Sequence, residues 1–211
     1  MAGKNKREIK KALRKTPRAY RAGMHWLIKH MPEEDLKSVT SEFLLENCEL
    51  AYKAREEAPW GQEIPEDVFF AYVLPFANLN EKRESWRKDF HYRFSDIMRN
   101  SASAYQATAR LNNEMFEMVG VSYSTKRPKA DQAPYESMDV GLASCTGLSI
   151  LLIDACRSIG VPARFVGTPM WYNNSGNHSW VEVWDKGWHV TGAAEPTGDE
   201  LNNFWFSGLA S

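Results

Sequence analysis

Between positions 141 and 160 the chain reads GLASCTGLSILLIDACRSIG, and this stretch restricts the fold more than any other. Leu148, Ile150, Leu151, Leu152 and Ile153 predict a helix whose body faces a core. Ser144 suits its N-cap, Gly160 ends it, and Val161-Pro162 enforces the stop. Cys145 falls in the first turn, where unpaired backbone N–H groups and the helix dipole favour an anion. That position lowers a thiol pKa from about 8.5 and so favours the nucleophilic thiolate. Two β-branched-rich runs follow, 163–168 and 179–184, and a third opens at Gly187-Trp188. Asp185-Lys186-Gly187 folds the last two into a hairpin, and His178 stands at the start of the second run. Alone, Cys145 reads more readily as a small buried apolar residue than as a nucleophile. A cysteine on a helix N-terminus beside a histidine on a strand is a different matter. The histidine can take the thiol proton and later protonate a leaving amine.

Upstream, residues 4 to about 119 read as helical, in segments 4–15, 18–30, 40–56, 64–76, 82–100 and 103–118. Pro32, Pro59, Pro75 and the run 78–80 punctuate them. Trp86, Phe90, Phe94 and Ile97 recur at helical spacing and form a core stripe. Residues 119–139 show no helical period and read as a loop with a short strand, placed to wall a cleft beside Cys145. With no Gly/Ser-rich linker before 120, the helical region 1–119 and the core 120–211 are expected to pack as one body. An apolar content of 43% over 211 residues is ample for that.

The net charge of −1 argues against a dedicated nucleic-acid binder. Residues 1–22 hold nine Lys/Arg against Glu8 alone, which reads as a solvated basic face. No window of about eighteen apolar residues occurs, so no membrane span is expected. The charged start does not read as a signal peptide. The start Met-Ala-Gly-Lys and the end Leu209-Ala210-Ser211 are compatible with a longer parent chain at both ends, so the compartment stays open and export is among the expectations. Three cysteines give no disulfide framework. Cys145 and Cys156 lie about 16 Å apart along one helix and cannot bridge, and Cys48 falls at a core position. There is no Cys-x-x-Cys or His-x-x-x-His pair for zinc, and no cofactor is expected.

The Cys-x-Gly start at Cys145-Thr146-Gly147, the R-x-x-G-[IV]-P-A-R run over 157–164, the His-[AST]-W-V-E-V strand over 178–183 and Gly187-Trp188 occur in a specific order and spacing. Over roughly 141–196 the chain resembles the transglutaminase-like superfamily of papain-fold cysteine enzymes. Residues 69–90 resemble, less strongly, a helical segment that precedes this core in some bacterial members. The resemblance implies an α+β fold, with a nucleophile helix packed on a small antiparallel sheet and a helical N-terminal half. It also implies cysteine-dependent acyl transfer on an amide or peptide bond through a thioester, with Cys145 and His178 catalytic. Water as acceptor gives a peptidase or amidase, and this is the favoured expectation. An amine acceptor gives a protein cross-linking transglutaminase or a small-molecule N-acyltransferase. A module that keeps the fold without turnover is the reading from another class.

Members of the family place an aspartate four residues after the tryptophan of the third strand, and here that position is Gly192. The expected substitute is Glu195. Strict alternation turns it away from His178, but a bulge within Gly192-Ala193-Ala194 would flip the parity. Glu182 shares the face of His178 but stands about 13 Å along its strand. His189 is expected on the opposite face. The Cys145 N–H, Gln132 and Tyr123 are candidate oxyanion donors or cleft walls. Trp180 and Trp188 are candidate shields for the histidine, and Asn177 a candidate to orient it.

Overall fold

The computed structural model describes residues 3–174 and 176–210, so the expectation about the chain ends falls at Met1, Ala2 and Ser211, outside the described residues. Helices α1 (Lys6–Lys15), α2 (Arg21–His30), α3 (Glu33–Ser38), α4 (Ser41–Glu57) and α5 (Glu66–Tyr72) come first. α6 (Arg87–Arg99) and α7 (Ala104–Val119) follow, then β1 (Ser122–Tyr123), α8 (Pro134–Val140), β2 (Leu142–Ala143) and α9 (Cys145–Ser158). Strands β3 (Ala163–Thr168), β4 (His178–Trp184) and β5 (Trp188–Thr191) precede a last short helix, α10 (Ser207–Ala210). The fold is α+β. No helix among the described residues is long and apolar enough to cross a membrane.

Side-chain caps set the helix starts. Thr40 accepts from the Phe43 N–H and Ser103 from the Gln106 N–H, so α4 and α7 begin where the sequence signals them. The expected segments 64–76 and 82–100 shorten to α5 and α6. Residues 73–86 instead run irregularly, with Pro75 inside them and their carbonyls satisfied by buried arginines. One expectation is corrected. The stretch 119–139 is not a loop throughout, because Pro134 opens α8 and the Glu136 carboxylate accepts from the Ala133 N–H at its start. The remaining loop is tied down by a parallel pair, Ser122 with Leu142 and Tyr123 with Ala143. That pair carries residues 123–131 up to the first turn of α9.

α9 is the hub, with residues 147–158 all buried. The sheet is β3-β4-β5, antiparallel, with β4 in the middle. Its β4–β5 register pairs Trp184 with Trp188 and Val183 with His189. Val181 and Val183 lie in the main core with Leu148, Leu151, Leu152 and Ala155 of α9, whereas Trp180 lies in a separate cluster with Trp171 and Phe206. β4 therefore separates two apolar layers, as period-two alternation requires.

Polar contacts stitch the helical half to this core. The Trp60 indole donates to Gly160 O (3.0 Å) and Arg87 Nη1 to Arg157 O (3.0 Å). Arg157 donates back to Tyr72 O and Ala77 O, and Asn78 Nδ2 donates to Asp154 Oδ1 (3.0 Å). Arg87, Arg157 and Asp154 are all nearly or fully buried, so each contact satisfies a group that is costly to leave alone. We therefore propose that 1–119 and 120–211 fold as one unit. Limited proteolysis is expected to yield no stable folded 120–211 fragment, and a protease-resistant fragment with native circular dichroism would contradict it.

Candidate functional site

The three cysteines sit in different electrostatic surroundings. Burial pushes the Cys48 and Cys156 thiols up to about 12. At pH 8 only about one in ten thousand of either is thiolate. Burial also pushes Cys145 up, but hydrogen bonds with the His178 ring and with the side chain and backbone of Ser179 outweigh it. The Cys145 thiol ends below its ordinary value. Its place in the chain explains why. Ser144 caps α9 by accepting from the Gly147 N–H (3.1 Å) and donates to Ala130 O (2.6 Å), which fixes the first turn. Thr146 and Ser179 share a hydroxyl contact at 3.1 Å, pinning that turn to β4 where His178 begins it.

His178 is 7% exposed. Burial pushes its imidazole down, but Cys145 and Glu195 favour the charged form and raise it to about 9. The Glu195 carboxylate lies 3.7 Å from His178 Nε2, which is buried and has no hydrogen-bond partner.

Glu195 reaches this place by a turn and not by a strand bulge. The β5 ladder ends at Thr191, Ala194 takes a left-handed conformation (φ 60°), and Glu195 N–H donates to Gly192 O (3.2 Å). Asn112 of α7 clamps the turn. Its Nδ2 donates to Gly192 O (2.8 Å) and Thr191 Oγ1 (2.9 Å), and its Oδ1 accepts from Ala194 N–H (2.9 Å). The Trp205 indole N–H donates to the second oxygen of Glu195 (2.9 Å), and its ring stands 5.1 Å from His178. Phe206, fully buried, lies edge-on to His178 at 4.8 Å. Gly192 itself explains the absence of a side chain. A Cβ there would lie 2.7 Å from Glu195 Cδ and closer still to its carboxylate oxygen, so this space is occupied by the glutamate.

A cleft of about 390 Å³ opens over the pair, lined on its floor by Ser144, Cys145, Thr146 and Leu148. Its walls are Tyr123, Arg127 and Ala130 on one segment, Asn177 and His178 on another, and Ala193, Ala194, Glu195 and Trp205 on a third. Of the expected residues, Tyr123 lines the cleft. Gln132 does not. It is 1% exposed, and its amide donates to Glu136 O and Leu142 O, so it braces the loop that leads into α9. Trp180 does not line the cleft either, but packs with Trp171 and Phe206, and its ring lies stacked 6.4 Å from that of His178. Trp188 stacks under the Arg164 guanidinium (3.8 Å) instead of shielding His178. Glu182 is engaged by Arg164 (2.8 Å). His189 contacts Asp185 O, Asn202 and Tyr105, away from Cys145. Asn112, Ser179, Trp205 and Phe206 were not singled out in the sequence. Asn112 is signalled there as a polar residue on the apolar face of α7, and Trp205 by its place in Phe204-Trp205-Phe206. No group of three or more His, Cys, Asp or Glu that could hold a metal occurs among the described residues.

A buried helix that presents a thiol of lowered pKa to a histidine on the adjacent sheet is a cysteine-enzyme fold. Residues 93–193 match the model of the transglutaminase-like superfamily. The match begins inside α6 and ends at Ala193, so it takes in the second half of α6 and all of α7 from the helical half. No curated protein matches the chain. Among solved structures, a "putative cysteine protease" from Cytophaga hutchinsonii is similar at 16% identity and a TM-score of 0.48, over 63% of this chain and 44% of that one. The matched region is thus less than half of that protein, and at that score the likeness carries no argument.

The Gly192–Glu195 contact yields a test. Gly192→Ala is expected to push the carboxylate off His178, lowering the imidazole from about 9 toward 6.5 and slowing Cys145 alkylation at pH 7 about five- to tenfold. Gly192→Asp, which brings its own carboxylate, is expected to lose less. Equal loss in both variants would show that crowding, not the acid, is responsible. The pH dependence has a defined sign. His178 has a folded pKa above its unfolded one, so its contribution to stability is complete below about pH 6.5 and is lost as pH rises through about 9. Histidine titration by NMR together with thermal melts at pH 6 and 10 checks both statements.

Proposed function

We propose that this protein is a cysteine-dependent acyl-transfer enzyme that cleaves an amide or peptide bond through a thioester, with water as the acceptor. The observation that carries the reading is that Cys145, at the start of α9, and His178, at the start of β4, line one open cleft with the Glu195 carboxylate 3.7 Å from the imidazole. The two shifts, Cys145 lowered and His178 raised, both favour the thiolate–imidazolium form of the pair over the neutral one.

In this reading the Cys145 sulfur attacks the carbonyl carbon and a C–S bond forms. The oxygen that becomes negative meets the backbone N–H of Cys145, a first-turn amide with no acceptor within its own helix. The imidazolium of His178 gives its proton to the leaving nitrogen as the C–N bond breaks, leaving a thioester. Neutral His178 then takes a proton from water, whose oxygen attacks the thioester. The C–S bond breaks, the carboxylic acid departs, and the thiolate of Cys145 and the imidazolium of His178 are restored. Glu195 favours the imidazolium form and fixes the ring, and Trp205 and the clamped turn hold Glu195 in reach. Water is the acceptor because the cleft is open and water is present at about 55 M unless a site excludes it.

The scaffold reading rests on the absent acid at position 192, and Glu195 at 3.7 Å is the observation against it. Intact mass after incubation with amide and glutamine-peptide libraries separates the readings. An acyl adduct on Cys145 that water alone discharges is the expected result. Discharge only by an added amine would make it a transferase, and no adduct with any library would favour the scaffold. His178→Ala is expected to keep the fold and slow Cys145 alkylation near pH 7 by at least tenfold, whereas His189→Ala leaves it unchanged.

A further inference from the structure

Among the residues that line the cleft, Arg127 is the one arginine or lysine. It belongs to the loop held up to α9 by the β1–β2 pair, and it is half-buried. Its Nη1 donates to Thr125 O (2.9 Å), which steadies the head group. Its Nε and Nη2 have no partner, and no carboxylate pairs with it, among the described residues. Four arginines elsewhere on the surface are each held by a carboxylate. Arg83 is paired with Asp35, Arg93 with Asp89, Arg110 with Glu114 and Arg164 with Glu182. The nearby Lys129 is likewise paired with Glu136 (2.9 Å). The carboxylate that lines the cleft, Glu195, is taken up by His178 and Trp205. Asn177, next to His178, also lines the cleft, and its exposed amide makes no hydrogen bond among the described residues.

We propose that Arg127, assisted by Asn177, forms an anion subsite, and that the natural acyl donor carries a carboxylate close to the amide bond that Cys145 attacks. This rests on the acyl-transfer reading of the site. The physical ground is the fate of the guanidinium when a substrate displaces water. A neutral substrate leaves a partly desolvated cation with unfilled donors, and a cationic one adds repulsion. A carboxylate fills the two free donors with charge-assisted hydrogen bonds, which a planar guanidinium makes in a fixed fork. At about 390 Å³ the cleft is near the lower end of small-ligand sites, about 300–1,000 Å³, so a ligand of a few residues spans the floor and both walls. The class of substrate is therefore an acidic peptide or an amide of a dicarboxylic acid.

Two alkylating agents of nearly equal size, iodoacetate and iodoacetamide, test this on the intact chain without knowledge of the substrate. The readout is the ratio of their second-order rates at Cys145, measured by peptide mass. Taking a ratio cancels any general change in thiol reactivity. Arg127→Gln is expected to lower the iodoacetate-to-iodoacetamide ratio about tenfold, and Arg127→Glu to lower it further. About 1 M salt, where the screening length is about 3 Å, is expected to remove most of the difference between the parent protein and Arg127→Gln. Lys126→Gln, an exposed neighbour outside the cleft, is expected to leave the ratio within twofold. If both Arg127 variants keep the parent ratio while Cys145 still reacts, the anion subsite is wrong and the thiol reading stands. If Lys126→Gln lowers the ratio as much as Arg127→Gln, the effect is a diffuse field and the subsite is again wrong. If Cys145 in the parent protein reacts no faster than Cys48 and Cys156, the acyl-transfer reading fails and this inference falls with it.

Discussion

Everything in this structure depends on α9 being buried on every side. A helix with residues 147–158 all out of water needs partners around its whole circumference, and a three-stranded sheet covers only one of its faces. The helical half supplies the rest. Burial of that kind also has to accommodate the polar groups the helix carries. Burial holds Asp154 well above the usual carboxylate range, nearby Glu81 adds to the shift, and its Oδ1 accepts from the Asn78 amide. Arg157 is satisfied by the carbonyls of Tyr72, Pro75, Ala77 and Ala163, and Arg87 by those of Val73, Leu74, Pro75 and Arg157. The irregular stretch 73–86 is thereby a frame for two buried guanidinium groups, which is why it is neither helix nor free loop.

The same burial explains the site. A thiol is distinctive only where its helix emerges, and Cys145 lies two residues ahead of the buried run. Cys156, eleven residues on, is the same chemical group with a pKa pushed up to about 12. The difference between them is place in one helix, not residue type. The acid comes from further away. Glu195 belongs to the segment after the sheet, its turn is clamped by Asn112 of α7, and its second oxygen is held by Trp205. One side chain of the helical half thus sets the turn, and a tryptophan ten residues further on holds the carboxylate it presents.

The sequence by itself determined the parts whose causes are local. Ser144, Cys145 and the Gly160-Val161-Pro162 stop mark α9 to within a residue, because caps and breakers act on their own neighbours. The hairpin turn fixes the β4–β5 register, so the placing of His189 opposite Val183 and away from His178 follows from counting. The Cys145–His178 juxtaposition is legible because a helix followed by an antiparallel sheet has few ways to pack. What only the tertiary structure decided involves contacts between distant segments. α8 was hidden because Pro134 opens a helix too short to show a period. Gln132 was read as a cleft donor, yet its amide is spent on Glu136 O and Leu142 O, carbonyls whose orientation no sequence pattern reveals. Gly192 shows most plainly where local reading stops. In sequence it is a missing acid, and in the fold it is the space that the Glu195 side chain occupies. Residue spacing sets alternation along a strand, but the turn that lifts Glu195 out of that alternation is held by Asn112, some eighty residues away in the chain.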